Sequence, residues 1–359
     1  MAHCSQNLEI NGRLVGIDEP TYFIADIAAN HDGDLSRAKD LIYLAKESGA
    51  DAAKFQHFSA ATIVSDIGFK ALGSEKSHQV NWKKSVYEVY RGASIDQQWT
   101  AELKKTCDEA GITFFSSPYS FELVDHIDPY VPAYKIGSGD ITWTEMIEYI
   151  AAKGKPYILA TGAAMASDVV RAVRAGLAIN PQLALLQCNT NYTASLENFK
   201  SIQLNVLKAY KEMFPNLILG LSDHTPGHTT VLGAVALNAR IIEKHFTDDT
   251  SRDGPDHHFA MDPRAWREMV DCTRELENAL GCGIKQIEKN EEDTVVLQRR
   301  SIRTAHDLSA GRALEKSDLV MLRPCPSDAI PPYKLETLLG KTLRCHKVAG
   351  EHLKWSDLE

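Results

Sequence analysis

Leu217-Ile-Leu-Gly-Leu221 runs into Ser222-Asp223-His224, and Ala239-Arg-Ile-Ile242 runs into Glu243-Lys244-His245. Between them, Pro226 to Asn238 reads as a helix. Short, nearly continuous apolar runs suit parallel strands buried on both faces. Strand, helix and strand then bring His224 and His245 to the same end of neighbouring parallel strands, where α/β proteins usually build their sites. Either histidine alone reads equally well as a partly buried side chain. Their recurrence across one unit favours a shared task. Neutral imidazole is the commonest side-chain ligand for a divalent transition metal.

The same rhythm extends upstream. Candidate strands are Tyr22–Ile27, Asp51–Phe55, Ile112–Phe115, Ala133–Ile136, Pro156–Ala160, Leu183–Gln187, Leu217–Leu221 and Arg240–Lys244. Helical patterns separate most of them: Leu35–Ser48, Ile95–Ala110, Thr144–Ala152, Ser167–Ala175, Asn198–Met213 and Pro263–Leu280. Gly49, Gly111, Gly154 and Gly176 stand where a glycine would stop a helix before the next strand. Eight strands separated by helices over about 260 residues predict an α/β fold of the (β/α)8 TIM-barrel type, with a doubly wound open sheet as the alternative. The segment His57–Ser94 is too long for a tight connection and follows a strand, so it reads as a lid or binding loop on the active face.

The pattern changes near Lys285. The barrel is assigned to residues 1–285, and the charged, unpatterned stretch 286–296 reads as a linker. Residues 297–359 read as a small, mainly β domain with Leu335–Leu339 as a brief helical candidate. A module of that size has little core of its own, so it should dock on the barrel, on a partner chain or on both.

Bulk properties narrow the partners. A net charge of −9 without any lysine- or arginine-rich run argues against nucleic acid and membrane surfaces as partners. An anionic substrate would have to be held by a few local cations. No apolar stretch approaches the roughly 20 residues of a membrane span. Met1-Ala-His-Cys-Ser-Gln6 lacks a basic segment followed by an apolar core, so no secretory leader is expected. Cys4, Cys107, Cys188, Cys272, Cys282, Cys325 and Cys345 are dispersed and odd in number, which fits free thiols in a reducing cytoplasm.

Nearly every candidate strand ends in polar or ionisable groups. In chain order these include Asp26, Lys54-Phe-Gln56, Ser116-Ser117, Lys135-Ile-Gly-Ser138-Gly139-Asp140, Thr161-Gly162, Cys188-Asn-Thr190-Asn191-Tyr192, Ser222-Asp-His224 and Glu243-Lys-His245, followed by Gly254-Pro-Asp256-His257. Lys54 and Lys135, with Ser117, Ser138 and the N–H groups of Gly137 and Gly139, would make a pocket for phosphate and carboxylate. Snorkelling to solvent is the bland reading of each lysine, and a Schiff-base role the competing functional one for Lys135. His224 and His245 supply two metal ligands; substrate oxygens and water completing the shell suit Mn²⁺ or Mg²⁺ better than a closed zinc site. Glu243 points the same way as His245 by the period of two, as a partner of the metal shell, a substrate contact or an interior ion pair. His257 and His258 are left out of the metal shell.

Phe23-Ile-Ala-Asp26, Asn30-His31-Asp-Gly33, Lys54-Phe-Gln56, Tyr134-Lys-Ile-Gly-Ser-Gly139, Leu221-Ser-Asp-His224, Glu243-Lys-His-Phe246 and Gly254-Pro-Asp-His257 together resemble the sialic acid synthase (N-acetylneuraminate synthase) family. Arg300-Ser-Ile and Gly340-Lys resemble its C-terminal antifreeze-like, or SAF, domain. The resemblance covers nearly the whole chain in order. It implies a metal-dependent condensation of phosphoenolpyruvate with an open-chain sugar aldehyde, giving a 3-deoxy-2-keto nonulosonic acid and phosphate by C–O cleavage. By position it implies Lys54, Ser117, Lys135, Ser138, Thr190 and Ser222 for phosphoenolpyruvate. It implies Asp140, Tyr192, Glu243, Asp256 and Arg323 for the sugar. Asp26, Lys54, Lys135, His224 and His245 would be catalytic, with Mn²⁺ foremost on His224 and His245 and Mg²⁺ or Co²⁺ as alternatives. It also implies a domain-swapped homodimer in which the SAF domain of one subunit places Arg323 over the partner's barrel. The acceptor would be N-acetylmannosamine, a di-N-acetylated dideoxyhexose or another aldose. A barrel that has lost catalysis and binds a sugar or partner is the remaining reading.

The chain departs from the family pattern at several places. Asp26 stands where the family usually has glutamate, Tyr192-Thr193 where it has Tyr-Pro, Thr190 where it has Ser or Asn, and Ala160 and Ala163 where a polar residue and a methionine are typical. A carboxylate one methylene short matters, because misplacement near 1 Å can cost on the order of 100-fold in rate.

Overall fold

The structure is a computed structural model that describes residues 7–72, 79, 82 and 84–359. Cys4, the chain start and part of the 57–94 segment lie outside the described residues. The chain divides into two compact units, Met1–Gly281 and Cys282–Glu359.

The first unit is built on eight parallel strands: β1 (Tyr22–Asp26), β2 (Ala52–His57), β3 (Thr113–Pro118), β4 (Tyr134–Ile136), β5 (Tyr157–Ala160), β6 (Leu183–Cys188), β7 (Ile218–Asp223) and β8 (Ala239–His245). Their order is β3-β2-β1-β8-β7-β6-β5-β4. The pairing of β1 with β8, with Phe23 opposite Ile242 and Asp26 opposite His245, decides against an open doubly wound sheet. The sheet wraps into a nearly closed TIM barrel, with β3 and β4 side by side at the seam.

Alternation along each strand sorts the side chains. Tyr22 and Ile24, Ala52, Phe115, Ala133, Ile158, Leu186, Ile218 and Ile241 point inward and form one buried cluster. Phe23, Ala25, Phe55, Phe114, Tyr134, Leu159, Leu185, Leu219 and Ile242 point outward into a second cluster under the helices. Two residues further along the inward set, or four on β7, the same parity reaches Asp26, Lys54, Ser117, Lys135, Ser222 and Glu243. The interior is therefore apolar at its amino end and ionic at its carboxyl end.

Gly220 lies in this interior. A Cβ there would stand 2.3 Å from both the Ile241 carbonyl oxygen and Leu186 Cδ2. A hairpin of Leu8–Ile10 and Arg13–Val15 was too short to read from pattern; it buries Leu8, Ile10 and Val15 in the inward cluster.

The helices differ from expectation in five places. Asn198–Met213 splits into a 3-10 segment, Leu196–Ser201, and a helix, Val206–Met213, because Gln203 between them has φ 55°. Gly49, Gly111 and Gly154 have positive φ as expected, but Gly176 lies inside the helix Ala166–Leu177. Its lack of a side chain admits Tyr157, whose Oη would be 2.4 Å from a Cβ there. The expected Ile95–Ala110 helix begins only at Thr100, after a turn over Gln97–Trp99. A helix at Phe121–Ile127, started by the Ser120 hydroxyl accepting from the Leu123 N–H at 3.3 Å, was not anticipated. The 57–94 segment carries helices Ala60–Ile63, Asp66–Ala71 and Val86–Ala93.

The second unit holds an antiparallel pair, Ser301–Thr304 with Leu319–Leu322, over its own core of Ile302, Leu308, Leu314, Ile330, Leu338, Leu343, Leu353 and Leu358. The helical candidate Leu335–Leu339 is a 3-10 segment, Pro332–Thr337. The stretch expected as an unpatterned linker falls in this unit and is helical at Glu292–Gln298, where Glu292 and Asp293 in the first turn suit the helix dipole.

Candidate active site

The carboxyl end of the barrel opens into a cavity of about 350 Å³. Asp26, Lys54, Ser117, Lys135, Ser138, Asp140, Tyr192, Ser222, His224, Glu243, His245 and Asp256 all line it, so most of the residues expected from strand ends meet in one place. Asp223 and Lys244, one step out of parity, pair instead with each other on the outer side, at 2.5 Å.

His224 and His245 lie with ring centroids 5.4 Å apart. The Nδ1–H of His224 donates to the Asn189 carbonyl at 2.9 Å, which sets its tautomer and ring plane. Burial opposes protonation of His224, but the Cys188 sulfur and the Asn189 carbonyl outweigh it and raise its pKa. Burial drives the His245 pKa down to about 3, so this ring is neutral at pH 7. His245 Nδ1 is buried without a hydrogen-bond partner. It stands 3.9 Å from Asp256 Oδ2, while Nε2 stands 3.7 Å from Asp26 Oδ2. Tyr192 packs on His224 at 4.4 Å and Phe259 on His245 at 4.8 Å, closing the pair off from bulk water.

Beside the histidines is a row of buried charge. Lys54 Nζ donates to Asp26 Oδ2 at 2.6 Å, and Gln56 Nε2 donates to the same oxygen at 3.1 Å. Lys135 Nζ stands 3.2 Å from Glu243 Oε1, and Lys54 reaches Glu243 Oε2 at 3.9 Å. Ser222 Oγ donates to Glu243 Oε1 at 3.1 Å. Burial works to raise the pKa of Asp26, but the ammonium of Lys54 and then His245 hold it below the usual carboxylate range. Two lysines and two carboxylates thus alternate, and Glu243 Oε2 and Ser117 Oγ remain buried without a hydrogen-bond partner. Glu243 thus makes the interior ion pair that was one of the three readings held for it.

Asp140 and Asp256 are carboxylates of a different kind. Burial raises each to about 6, offset at Asp140 by Lys135 and at Asp256 by the Ala29 N–H, which donates at 3.2 Å. Ser138 Oγ accepts from the Gly162 N–H at 2.9 Å and ties the loops after β4 and β5 together.

Thr190 does not join the set. It is not among the cavity-lining residues; its Cγ2 methyl packs over Gly162, where a Cβ would be 2.4 Å away. His257 is held at both nitrogens, by Thr247 Oγ1 at 2.7 Å and Asp32 Oδ1 at 2.9 Å, which agrees with leaving it out of the metal shell. Arg323 belongs to the second unit. Gln56 and Cys188, named at the strand ends without a role, line the cavity. Sequence reasoning missed Tyr119 and Phe259; Tyr119 follows β3 and Phe259 ends a short 3-10 turn, His257–Phe259, and neither carries a periodic signal. Among the described residues, no three metal-ligating side chains converge on one point.

Residues 41–285 match the model of the NeuB family, and residues 299–359 that of the SAF domain. This chain belongs to the NeuB family. The family assignment makes it an enzyme, a carbon–carbon bond-forming transferase. The NeuB-family chain is 35% identical to an N,N'-diacetyllegionaminic acid synthase of Legionella pneumophila, over 98% of this chain and 99% of that one. It is 31% identical to a human N-acetylneuraminate-9-phosphate synthase, over 92% and 90%. Its fold is similar to that of an N-acetylneuraminic acid (sialic acid) synthetase from Leptospira borgpetersenii in complex with citrate, with TM-score 0.71 and 26% identity over 82% of this chain and 97% of that one. No helix among the described residues is long and apolar enough to cross a membrane.

Proposed function

We propose that this chain condenses phosphoenolpyruvate with an open-chain aminosugar aldehyde and water, giving a 3-deoxy-2-keto nonulosonic acid and phosphate. The observation that carries the reading is the buried row of Asp26, Lys54, Glu243 and Lys135 beside two histidines in a single cavity. The names of the relatives, synthases of legionaminic acid and of N-acetylneuraminate 9-phosphate, support it.

In this reading Lys54 and Lys135 hold the phosphate and carboxylate of phosphoenolpyruvate, aided by Ser117, Ser138 and Ser222. The unpartnered Ser117 hydroxyl is ready to donate to an anion. Asp26 and Glu243 act as counter-charges that keep both ammonium groups in place before the substrate arrives. C3 of phosphoenolpyruvate forms the new bond to the aldehyde carbon, water adds at C2, and phosphate leaves as the C2–O bond breaks. Asp140, Tyr192, Glu243 and Asp256 contact the acceptor. Asp140 and Asp256, with pKa values near 6, are suited to exchange a proton with its hydroxyls near neutral pH.

His224 and His245 would hold a divalent cation, Mn²⁺ foremost; neutral His245 with its orphaned buried Nδ1, and Asp256 Oδ2 3.9 Å from that nitrogen, fit such an ion. When bound, that ion supplies Lewis-acid polarisation of the aldehyde oxygen. The chain works in the cytoplasm as a homodimer, with Arg323 of one SAF domain completing the partner's site.

The test is phosphate release from phosphoenolpyruvate with Mn²⁺ and a panel of aminosugars, with product mass as the second readout. A product heavier than the acceptor by a pyruvate unit is expected. Release independent of any aldose would overturn the reading.

A further inference from the structure

The pairing of β2 with β3 runs past the last residue of β3. The Tyr119 N–H donates to the His57 carbonyl at 3.0 Å, which carries the ladder one residue beyond Pro118. Tyr119 therefore keeps the inward parity of Phe115 and Ser117 and stands one layer above Ser117. Phe58, one residue past β2, extends the parity of Lys54 and Gln56 in the same way, and its ring meets Tyr119 edge-on at 6.1 Å. On the other side Gly137 makes room for the phenol: a Cβ there would stand 3.0 Å from Tyr119 Oη. The ring is wedged between Phe58 and the loop after β4, with its hydroxyl at that loop.

Tyr119 lines the cavity, and among the described residues its hydroxyl has no hydrogen-bond partner. Asp140, three residues after Gly137, lines the same cavity, and among the described residues its carboxyl has no hydrogen-bond partner either. Burial, and then the Asp140 carboxylate, raise the pKa of the phenol well above its ordinary value, so it stays a donor at every working pH. The two groups are close enough to feel each other and do not bond each other. Once substrates displace water, each is costly unless something pairs with it. An alcohol pairs with both, because it accepts from the phenol and donates to the carboxylate. A phosphate accepts from the phenol but is repelled by the carboxylate. We propose that Tyr119 is a specificity-determining residue that, together with Asp140, brackets one free hydroxyl of the acceptor sugar. The proposal rests on the synthase reading above, in which Asp140 but not Tyr119 contacts the acceptor, and adds to it a requirement for one unsubstituted hydroxyl. Tyr119 binds the acceptor and takes no part in bond making.

The experiment uses the full chain with phosphoenolpyruvate, Mn²⁺ and the aminosugar turned over fastest in the panel above, together with analogues of that sugar that each lack one hydroxyl. Tyr119→Phe keeps the ring against Phe58 and removes only the hydroxyl. It should raise the KM for the aminosugar about 10-fold, the worth of one hydrogen bond whose loss leaves a desolvated partner, with kcat within about 2-fold and the KM for phosphoenolpyruvate unchanged. For one analogue, the kcat/KM lost on deoxygenation should be about 10-fold smaller in Tyr119→Phe than in the unaltered enzyme, because the partner of that hydroxyl is already gone. The remaining analogues should lose equally in both enzymes. A raised KM for phosphoenolpyruvate in place of the aminosugar would put the phenol on the anion and overturn the proposal. So would an unchanged aminosugar KM, or deoxygenation losses that match between the two enzymes at every carbon, which is what a merely structural tyrosine gives. No turnover of any aminosugar, or phosphate release without one, would instead overturn the synthase reading, and the proposal with it.

Discussion

Lys54 is 2% exposed, and its close partner is Asp26 at 2.6 Å; Glu243 is the next carboxylate, at 3.9 Å. Asp26→Ala therefore leaves a buried ammonium with only a distant counter-charge, and should cost about 3 kcal/mol by urea denaturation. An unchanged midpoint would mean that Lys54 does not depend on Asp26. His245→Ala should reduce phosphate release at least 100-fold while the far-ultraviolet circular dichroism stays the same. Near-normal turnover would remove His245 from the proposed metal shell. Burial raises the pKa of Asp140 to about 6 in the folded state, against 3.8 for a free aspartate. The folded state thus binds this proton more tightly, and stability is lost as pH rises from about 4 through about 6. Asp140→Asn should gain roughly 2 kcal/mol at pH 8 and nothing at pH 3, seen as a flatter stability profile. At this scale strand parity made Asp26, Lys54, Lys135 and Glu243 legible as inward-facing groups. The orphaned nitrogen of His245 was not legible, because it depends on where Asp256 and Phe259 come to rest from a loop.

Among the elements, the contact of β7 with β8 and β6 is the tightest constraint. Gly220→Ala would drive a Cβ to 2.3 Å from the Ile241 carbonyl oxygen, a backbone atom that has no rotamer by which to yield. It should lower the unfolding free energy by about 2–3 kcal/mol or leave the chain insoluble, measured by thermal unfolding. The long apolar strands and the capped helix Pro263–Leu280 could be read directly from periodicity and from Asp262 and Pro263. The hairpin at Leu8–Val15 could not, since three-residue strands carry too few positions to set a period. Nor could the fate of Gly176, since the same glycine that ends a helix elsewhere serves here to admit Tyr157.

For the whole molecule, the proposed homodimer makes a prediction that the separate units do not. If Arg323 acts on the partner's barrel, mixing Arg323→Ala chains with Lys135→Ala chains should restore activity, because one intact composite site forms per mixed dimer. The expected recovery is up to about a quarter of the unmutated rate under random exchange. No recovery in subunits shown to exchange would place Arg323 on its own barrel or nowhere near the reaction.

Sequence alone settled which groups stand at the carboxyl ends of the strands, because side-chain direction follows from alternation within each strand and needs no long-range contact. The count and spacing of apolar runs narrowed the fold to a barrel or a doubly wound sheet, and the pairing of the first strand with the last decided between them. Only the tertiary structure decided which charges meet. Lys135 lies on β4 and Glu243 on β8, with three strands between them in the sheet order, yet their side chains stand 3.2 Å apart across the lumen. That contact exists because the sheet closes on itself, and closure is a property of the assembled barrel rather than of any one strand.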